Sequence, residues 1–166
     1  MKRIVVLILF LTPFITCAQG APKLEIDWIP LEKAKEYSKK YNKDILIFFY
    51  KKNCEYCEKM KQETLSNTQV INLINHNFLP VQIDSRTKDT INYNGKKYSN
   101  QQPAKDGATF RHDFYAEVAS FTRNNQEQST TPAIVLFNNK FEKIINFPGM
   151  QSKQLLLRRL KPYILK

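Results

Sequence analysis

The sequence predicts an α/β fold, a central mixed β-sheet flanked by helices. Three observations predict it. First, the apolar run Ile45-Leu46-Ile47-Phe48-Phe49-Tyr50 is followed by a helical pattern and then by a second apolar run, Phe78 to Ile83. Strand, helix and strand within about forty residues make a βαβ unit, whose strands pair in parallel. Second, Thr131-Pro132 opens the run Ala133 to Phe137, and Asn138-Asn139 turns it back into Phe141 to Phe147, an antiparallel pair. Third, the chain closes on an amphipathic segment, Gln154 to Ile164. Its 166 residues suffice for one domain with a core and are short for two.

The elements follow in order. Met1-Lys2-Arg3 is a basic start, and Ile4 to Ile15 is an apolar run interrupted only by Thr12 and Pro13. That run is too short for a spanning anchor and fits a secretory signal over residues 1–19, cleaved after Ala18 or a residue or two later. Cys17 offers a second reading, the lipid-bearing first residue of a bacterial lipoprotein, although Thr16 suits such a signal poorly. The expected location is therefore the periplasm, with a membrane-anchored lipoprotein through Cys17 as the alternative. The folded domain takes residues 20–166. Residues 20–30 read as extended because Pro22 and Pro30 discourage helix, and Trp28 is expected to pack at the domain edge.

Leu31 to Tyr41 is an amphipathic helix with Leu31, Ala34 and Tyr37-Ser38 on one face. Ile45 to Tyr50 is too short and too uniformly apolar for a surface helix and reads as a buried strand. The next helix starts at Cys54-Glu55-Tyr56-Cys57, and Cys57, Met60, Lys61, Thr64 and Leu65 keep a 3.6 spacing. Ser66-Asn67-Thr68 breaks it, and Val70, Ile71, Leu73 and Ile74 begin a further helix. The second strand ends at Asp84. Residues 85–107 are polar, but Ile91 to Tyr98 carries an Asn94-Gly95 turn between strand-like arms and predicts a hairpin. Phe110, Phe114, Tyr115, Val118 and Phe121 predict a helix whose aromatic stripe packs on the domain. In the terminal helix Leu155, Leu156, Leu160 and Ile164 face inward.

Composition narrows the function. With 42% apolar and 25% charged residues the chain is globular. The net charge is +11, or +9 once Lys2 and Arg3 leave with the leader. A basic exported domain favours acidic partners or anionic surfaces. The lysines are scattered (33, 35, 39, 40, 43, 51, 52, 59 and 61), which argues for a solvated surface and against a nucleic-acid stripe. Without Cys17 only Cys54 and Cys57 remain, so there is no disulfide framework. A lone adjacent pair behind a buried strand points to redox chemistry.

These pieces together resemble the thioredoxin superfamily, in particular its exported bacterial thioredoxin-like proteins. The residues that carry the resemblance are Ile45 to Tyr50 running into Cys54 to Cys57, Thr131-Pro132 before a strand, and Gly149 followed by Ser152-Lys153 and a terminal helix. The match spans about residues 28–165, apart from an inserted hairpin and helix segment near 85–125 that a minimal thioredoxin lacks. The resemblance implies a cis Pro132 facing the dithiol, and a Thr131 backbone that receives an extended substrate as an added strand.

The chemistry expected is thiol–disulfide exchange. Cys54, at the helix N-terminus, is the attacking thiolate, and Cys57, one turn in and more buried, is the resolving one. Tyr56 is a stacking or substrate-facing side chain. Lys51 and Lys52 favour the thiolate and Glu55 opposes it. Phe48 stands where many thioredoxins carry a buried acid, which leaves Glu63 and Asp84 as the acids in reach by sequence. No cofactor beyond the Cys54–Cys57 disulfide and no metal are expected. The expected partners are protein thiols and disulfides and an upstream membrane or periplasmic electron donor, and the expected state is a monomer. Two other classes compete. Met60 completes Cys-x-x-Cys-x-x-Met, a soft set for Cu(I) in a metallochaperone, against its plainer reading as a core residue. An interaction protein would use the aromatic helix near 110–121 instead. His76 and His112 lack ligand spacing to the cysteines and read as surface or packing residues.

Overall fold

The computed structural model describes residues 25–100 and 110–164, so the proposed leader and Cys17 lie outside the described residues. Eight strands and five helices follow in chain order within them: α1 (Leu31–Tyr41), β1 (Ile45–Tyr50), α2 (Glu55–Met60), α3 (Thr68–Asn77), β2 (Leu79–Asp84), β3 (Ile91–Tyr93), β4 (Lys96–Tyr98), α4 (Asp113–Ala119), β5 (Phe121–Arg123), β6 (Gln126–Gln128), β7 (Ala133–Phe137), β8 (Lys143–Pro148) and α5 (Lys153–Leu160). The main sheet has the order β2-β1-β7-β8. Strand β1 pairs parallel with β2 and antiparallel with β7, which pairs antiparallel with β8. The mixed sheet flanked by helices is the predicted fold class.

Strand β1 is apolar throughout because both its faces are covered. Ile45, Ile47 and Phe49 point into one buried cluster with Ala133, Val135 and Phe137 of β7. Leu46 and Phe48 point into a second cluster with Ile134 and Leu136. A central strand with two buried faces has no polar alternation to show. Helices α2, α3 and α5 cover the second face, and α1, α4 and the β3–β4 hairpin cover the first. Trp28 stacks on Phe48 at 6.1 Å between ring centroids, and the Ile29 N–H donates to the Pro80 carbonyl at 2.9 Å, which lays residues 26–30 along the β2 edge.

Several expectations shift. Phe78 caps α3 and does not open the strand, which begins at Leu79. Phe141 sits in the turn with φ 62°, so β8 begins at Lys143. The helix expected to run through Phe121 stops at Ala119, because Ser120 turns extended, and Phe121 opens an unpredicted hairpin, β5–β6. That hairpin turns on Asn124 and Asn125, both left-handed, a conformation asparagine tolerates. The terminal α-helix expected to reach Ile164 stops at Leu160 and gives way to a 3-10 turn, Lys161–Tyr163. In α5 it is Leu157, not Leu155, that packs beside Leu156 and Leu160, and Ile164 joins them from beyond the turn. Helix α2 continues through a π-helical stretch, Lys61–Leu65, where the Thr64 hydroxyl donates to the Gln151 carbonyl at 2.7 Å.

Candidate active site

Strand β1 delivers the chain to the site, and Asn53, with φ 56°, turns it into α2. Cys54 is the N-cap of that helix. Its Sγ accepts from the Cys57 N–H at 3.2 Å, and its carbonyl accepts from the N–H groups of Cys57 and Glu58 at 3.0 Å each. One first-turn N–H, that of Cys57, thus points at the sulfur from the positive end of the helix, a placement that favours a thiolate. Cys54 and Cys57 are joined as a disulfide with Cα atoms 5.2 Å apart. Cys54 keeps 6% of its surface exposed and Cys57 none. An attacking nucleophile therefore reaches Cys54 first.

The antiparallel register of β1 and β7 brings Phe49 opposite Ala133. Thr131 thus arrives beside the end of β1. Its carbonyl oxygen lies 3.7 Å and its hydroxyl 3.9 Å from the Cys54 sulfur. The Thr131–Pro132 peptide is cis, and Pro132 is buried. Tyr56 is 61% exposed on the helix between the two cysteines, one of two large apolar side chains so open among the described residues. Cys54, Cys57, Tyr56, Thr131 and Pro132 thus share one end of the sheet.

Met60 is fully buried among Phe48, Leu65, Ile134 and their neighbours. It is a core side chain beneath α2. Among the described residues His, Cys, Asp and Glu form no cluster of three able to hold a metal. His76 is exposed, with its Nδ1 2.7 Å from the Asn72 carbonyl. His112 is buried and has a structural task. Its Nδ1 accepts from the Phe114 N–H at 3.0 Å as the N-cap of α4, so its Nε2 carries the proton and donates to the Asp89 carbonyl at 2.9 Å.

Phe48 is fully buried, and among the described residues the buried polar side chains are Ser38, Thr64, Ser85, His112 and Gln151, without a carboxylate among them. Glu63 is exposed. Asp84 is half-buried and accepts from the Arg86 N–H at 2.9 Å. Neither is buried under the dithiol as an acid at position 48 would be.

The aromatic stripe of α4 is also spoken for. Phe114, Tyr115 and Val118 are buried against the sheet, which removes the surface that an interaction role for this helix requires. Burial pushes the Tyr115 phenol above its ordinary value of 10, and the nearby Arg111 charge pulls it the other way. Reading the sequence missed Arg86 and Arg111 as neighbours of the site. The His112 N–H donates to the Ser85 carbonyl at 2.7 Å, and the Ser85 N–H to the Tyr50 carbonyl at 2.7 Å. Those two bonds bring the chain near 111 to the end of β1, and no local pattern announces such a contact.

The sequence matches the thioredoxin-like domain family over residues 31–164. In three dimensions it is similar to the DsbH oxidoreductase (TM-score 0.58, 18% identity, 90% of this chain and 94% of that one). It is equally similar to a thioredoxin from Thermus thermophilus (TM-score 0.58, 18% identity, 86% and 89%). A disulphide isomerase from Xylella fastidiosa Temecula1 follows (TM-score 0.51, 17% identity, 84% and 98%). At these identities the likeness shows the fold. Among curated proteins, spermatogenesis-associated protein 20 of Rattus norvegicus is 30% identical over 67 residues, which is 40% of this chain and 8% of that protein's length. The Mus musculus protein of that name matches over the same share.

Proposed function

The chain belongs to the thioredoxin-like family, and from that premise we propose that it is an exported thiol–disulfide oxidoreductase that reduces protein disulfides through Cys54 and Cys57. One observation carries the reading: the pair is joined at a helix start, its edge-exposed sulfur Cys54 lying 3.7 Å from the Thr131 carbonyl oxygen.

The reduced pair would work in two displacements. The Cys54 thiolate attacks one sulfur of a substrate disulfide, the substrate S–S bond breaks, and one substrate thiolate leaves. The Cys57 thiolate then attacks the Cys54 sulfur, breaks the mixed disulfide and releases the second thiolate. Two electrons pass to the substrate and the chain is left with the Cys54–Cys57 disulfide seen in the structure. An upstream dithiol must return the two electrons before another turnover. Thr131 would offer its backbone to an extended substrate segment, and the exposed Tyr56 would lie along it. Phe48 and the surrounding apolar cluster supply no acid to take the Cys57 proton, so solvent or the departing substrate thiolate is the acceptor in this reading.

Export rests on the apolar segment 4–15 behind Met1-Lys2-Arg3. The mass of the mature N-terminus separates cleavage near Ala18 from a lipid-bearing Cys17. The direction of transfer is tested by equilibrating the pair in glutathione or dithiothreitol buffers. A reductase gives a potential of ~ −270 mV, and a value of ~ −120 mV would make it a disulfide donor. Cys54→Ser is expected to reduce turnover of a disulfide substrate to background. Undiminished exchange in that variant would sink the proposal.

A further inference from the structure

Beside Thr131 the surface opens into a notch of about 40 Å³ lined by Lys51, Ser85, Arg86, Arg111 and Thr131. That is room for a few waters or one small polar group. Three of its five residues are cations, drawn from the end of β1, the loop after β2 and the approach to α4. Gathered like charges repel unless an anion joins them. Among the described residues the anions do not suffice: Glu117 and Glu127 share a neighbouring groove with Arg111 but form no ion pair with it. The Arg86 Nε is 3.9 Å from an Asp84 oxygen, and among the described residues no carboxylate pairs with Lys51 or Arg111. Among the described residues each guanidinium makes one hydrogen bond, Arg86 through Nη2 to the Lys52 carbonyl at 3.2 Å and Arg111 through Nη1 to the Ser129 hydroxyl. A guanidinium has five N–H donors, so both retain several. The Ser85 backbone bonds to Tyr50 and His112 fix the segments that carry them.

The notch also adjoins the reacting sulfur, because its lining residue Thr131 is the one that touches Cys54. Resting on the oxidoreductase reading above, we propose that Lys51, Arg86 and Arg111 form a subsite for a carboxylate of the substrate. The substrate class is an extended acidic protein segment, with an aspartate or glutamate flanking its half-cystine. As the substrate lies along Thr131 toward Cys54, that carboxylate enters the notch and takes the unspent guanidinium donors. The net positive charge, +11 for the chain and +9 without Lys2 and Arg3 of the proposed leader, draws the same class of segment from a distance.

The test uses the full chain and three disulfide-bonded peptides, identical except that glutamate, glutamine or lysine flanks the cystine. The readout is the ratio of kcat/KM for glutamate over lysine. A change in Cys54 reactivity affects both peptides alike and cancels in that ratio. The expected ratio is about tenfold at low salt, shrinking as salt rises. It should fall to within about twofold in the Lys51→Gln/Arg111→Gln double variant, with Lys51→Gln alone intermediate. Lys97→Gln, which removes one positive charge from an exposed position in the middle of β4, should leave the ratio as it is. A wild-type ratio near one, or one that the double variant and Lys97→Gln alter equally, overturns the subsite while leaving the oxidoreductase intact. Absence of exchange with all three peptides overturns both.

Discussion

The two faces of the main sheet are built from different materials. On one, Phe49, Tyr93, Tyr98, Phe114, Tyr115, Phe137 and Phe141 pack ring on ring, with centroids from 4.7 to 6.1 Å apart. On the other, the dithiol helix adds Met60 to a cluster of Leu46, Ile71, Ile74, Ile134, Leu136, Leu156 and Leu160, in which Phe48, Phe78 and Phe147 are the buried rings. The dithiol face is covered by α3, by α5 and by α2 with its π-helical extension. The cover of the aromatic face comes from α1 and from the segment 85–125, whose strands have three residues each and whose helix has seven. Elements that short do not stand alone in water. Large rings compensate, since each buries far more area than an aliphatic side chain and prefers tilted or offset neighbours. The comparison teaches a division of labour. The dithiol face carries the redox helix, and the aromatic face holds the segment that brings Arg111 to the rim.

The largest break in that comparison comes from Phe114→Ala. Phe114 is fully buried and touches five other rings. Its truncation should cost about 3–5 kcal/mol of unfolding free energy, measured by urea denaturation. The Cys54–Cys57 potential in the folded protein should stay where it is. A moved potential would show that the faces are coupled. His112→Ala should cost less, about 1–3 kcal/mol, because it strips the cap from the Phe114 N–H and leaves the Asp89 carbonyl without its donor. It should also lower the charge selectivity of the peptide assay, since His112 sets the position of the segment bearing Arg111. Tyr56→Ala sharpens the contrast from the other side. An exposed residue should change stability by no more than about 0.5 kcal/mol, yet kcat/KM for a peptide disulfide should fall several-fold. Unchanged kinetics would remove Tyr56 from the substrate path.

The legible parts of the molecule are those in which neighbours in sequence do the work. Ile45 to Tyr50 reads as a buried strand because nothing polar interrupts it. Cys54 to Cys57 reads as a helix start because the dithiol follows that strand and the 3.6 spacing continues to Leu65. Asn94-Gly95 marks its hairpin because those residues accept left-handed backbone, with φ of 48° and 73°. Expectation failed where periodicity and packing disagree. Phe110 to Phe121 carries a helical spacing of rings, but the helix covers only Asp113–Ala119. The Asn146 side chain donates to the carbonyls of Ala119 and Ser120 at 2.8 and 3.1 Å, serving groups that a longer helix would have bonded internally. Leu155 and Leu157 both suit an amphipathic helix, and only the position of α5 over the sheet chooses between them.

The sequence by itself determined the α/β class, the dithiol at a helix start and the absence of an acid at position 48, since each is a matter of residue type and short spacing. The tertiary structure alone decided that Thr131 lies 3.7 Å from the Cys54 sulfur. It alone turned His112 into a cap and gathered Lys51, Arg86 and Arg111 around one notch. Contacts between residues tens of positions apart follow from strand register and from which apolar faces meet, and neither is encoded in any single stretch of chain.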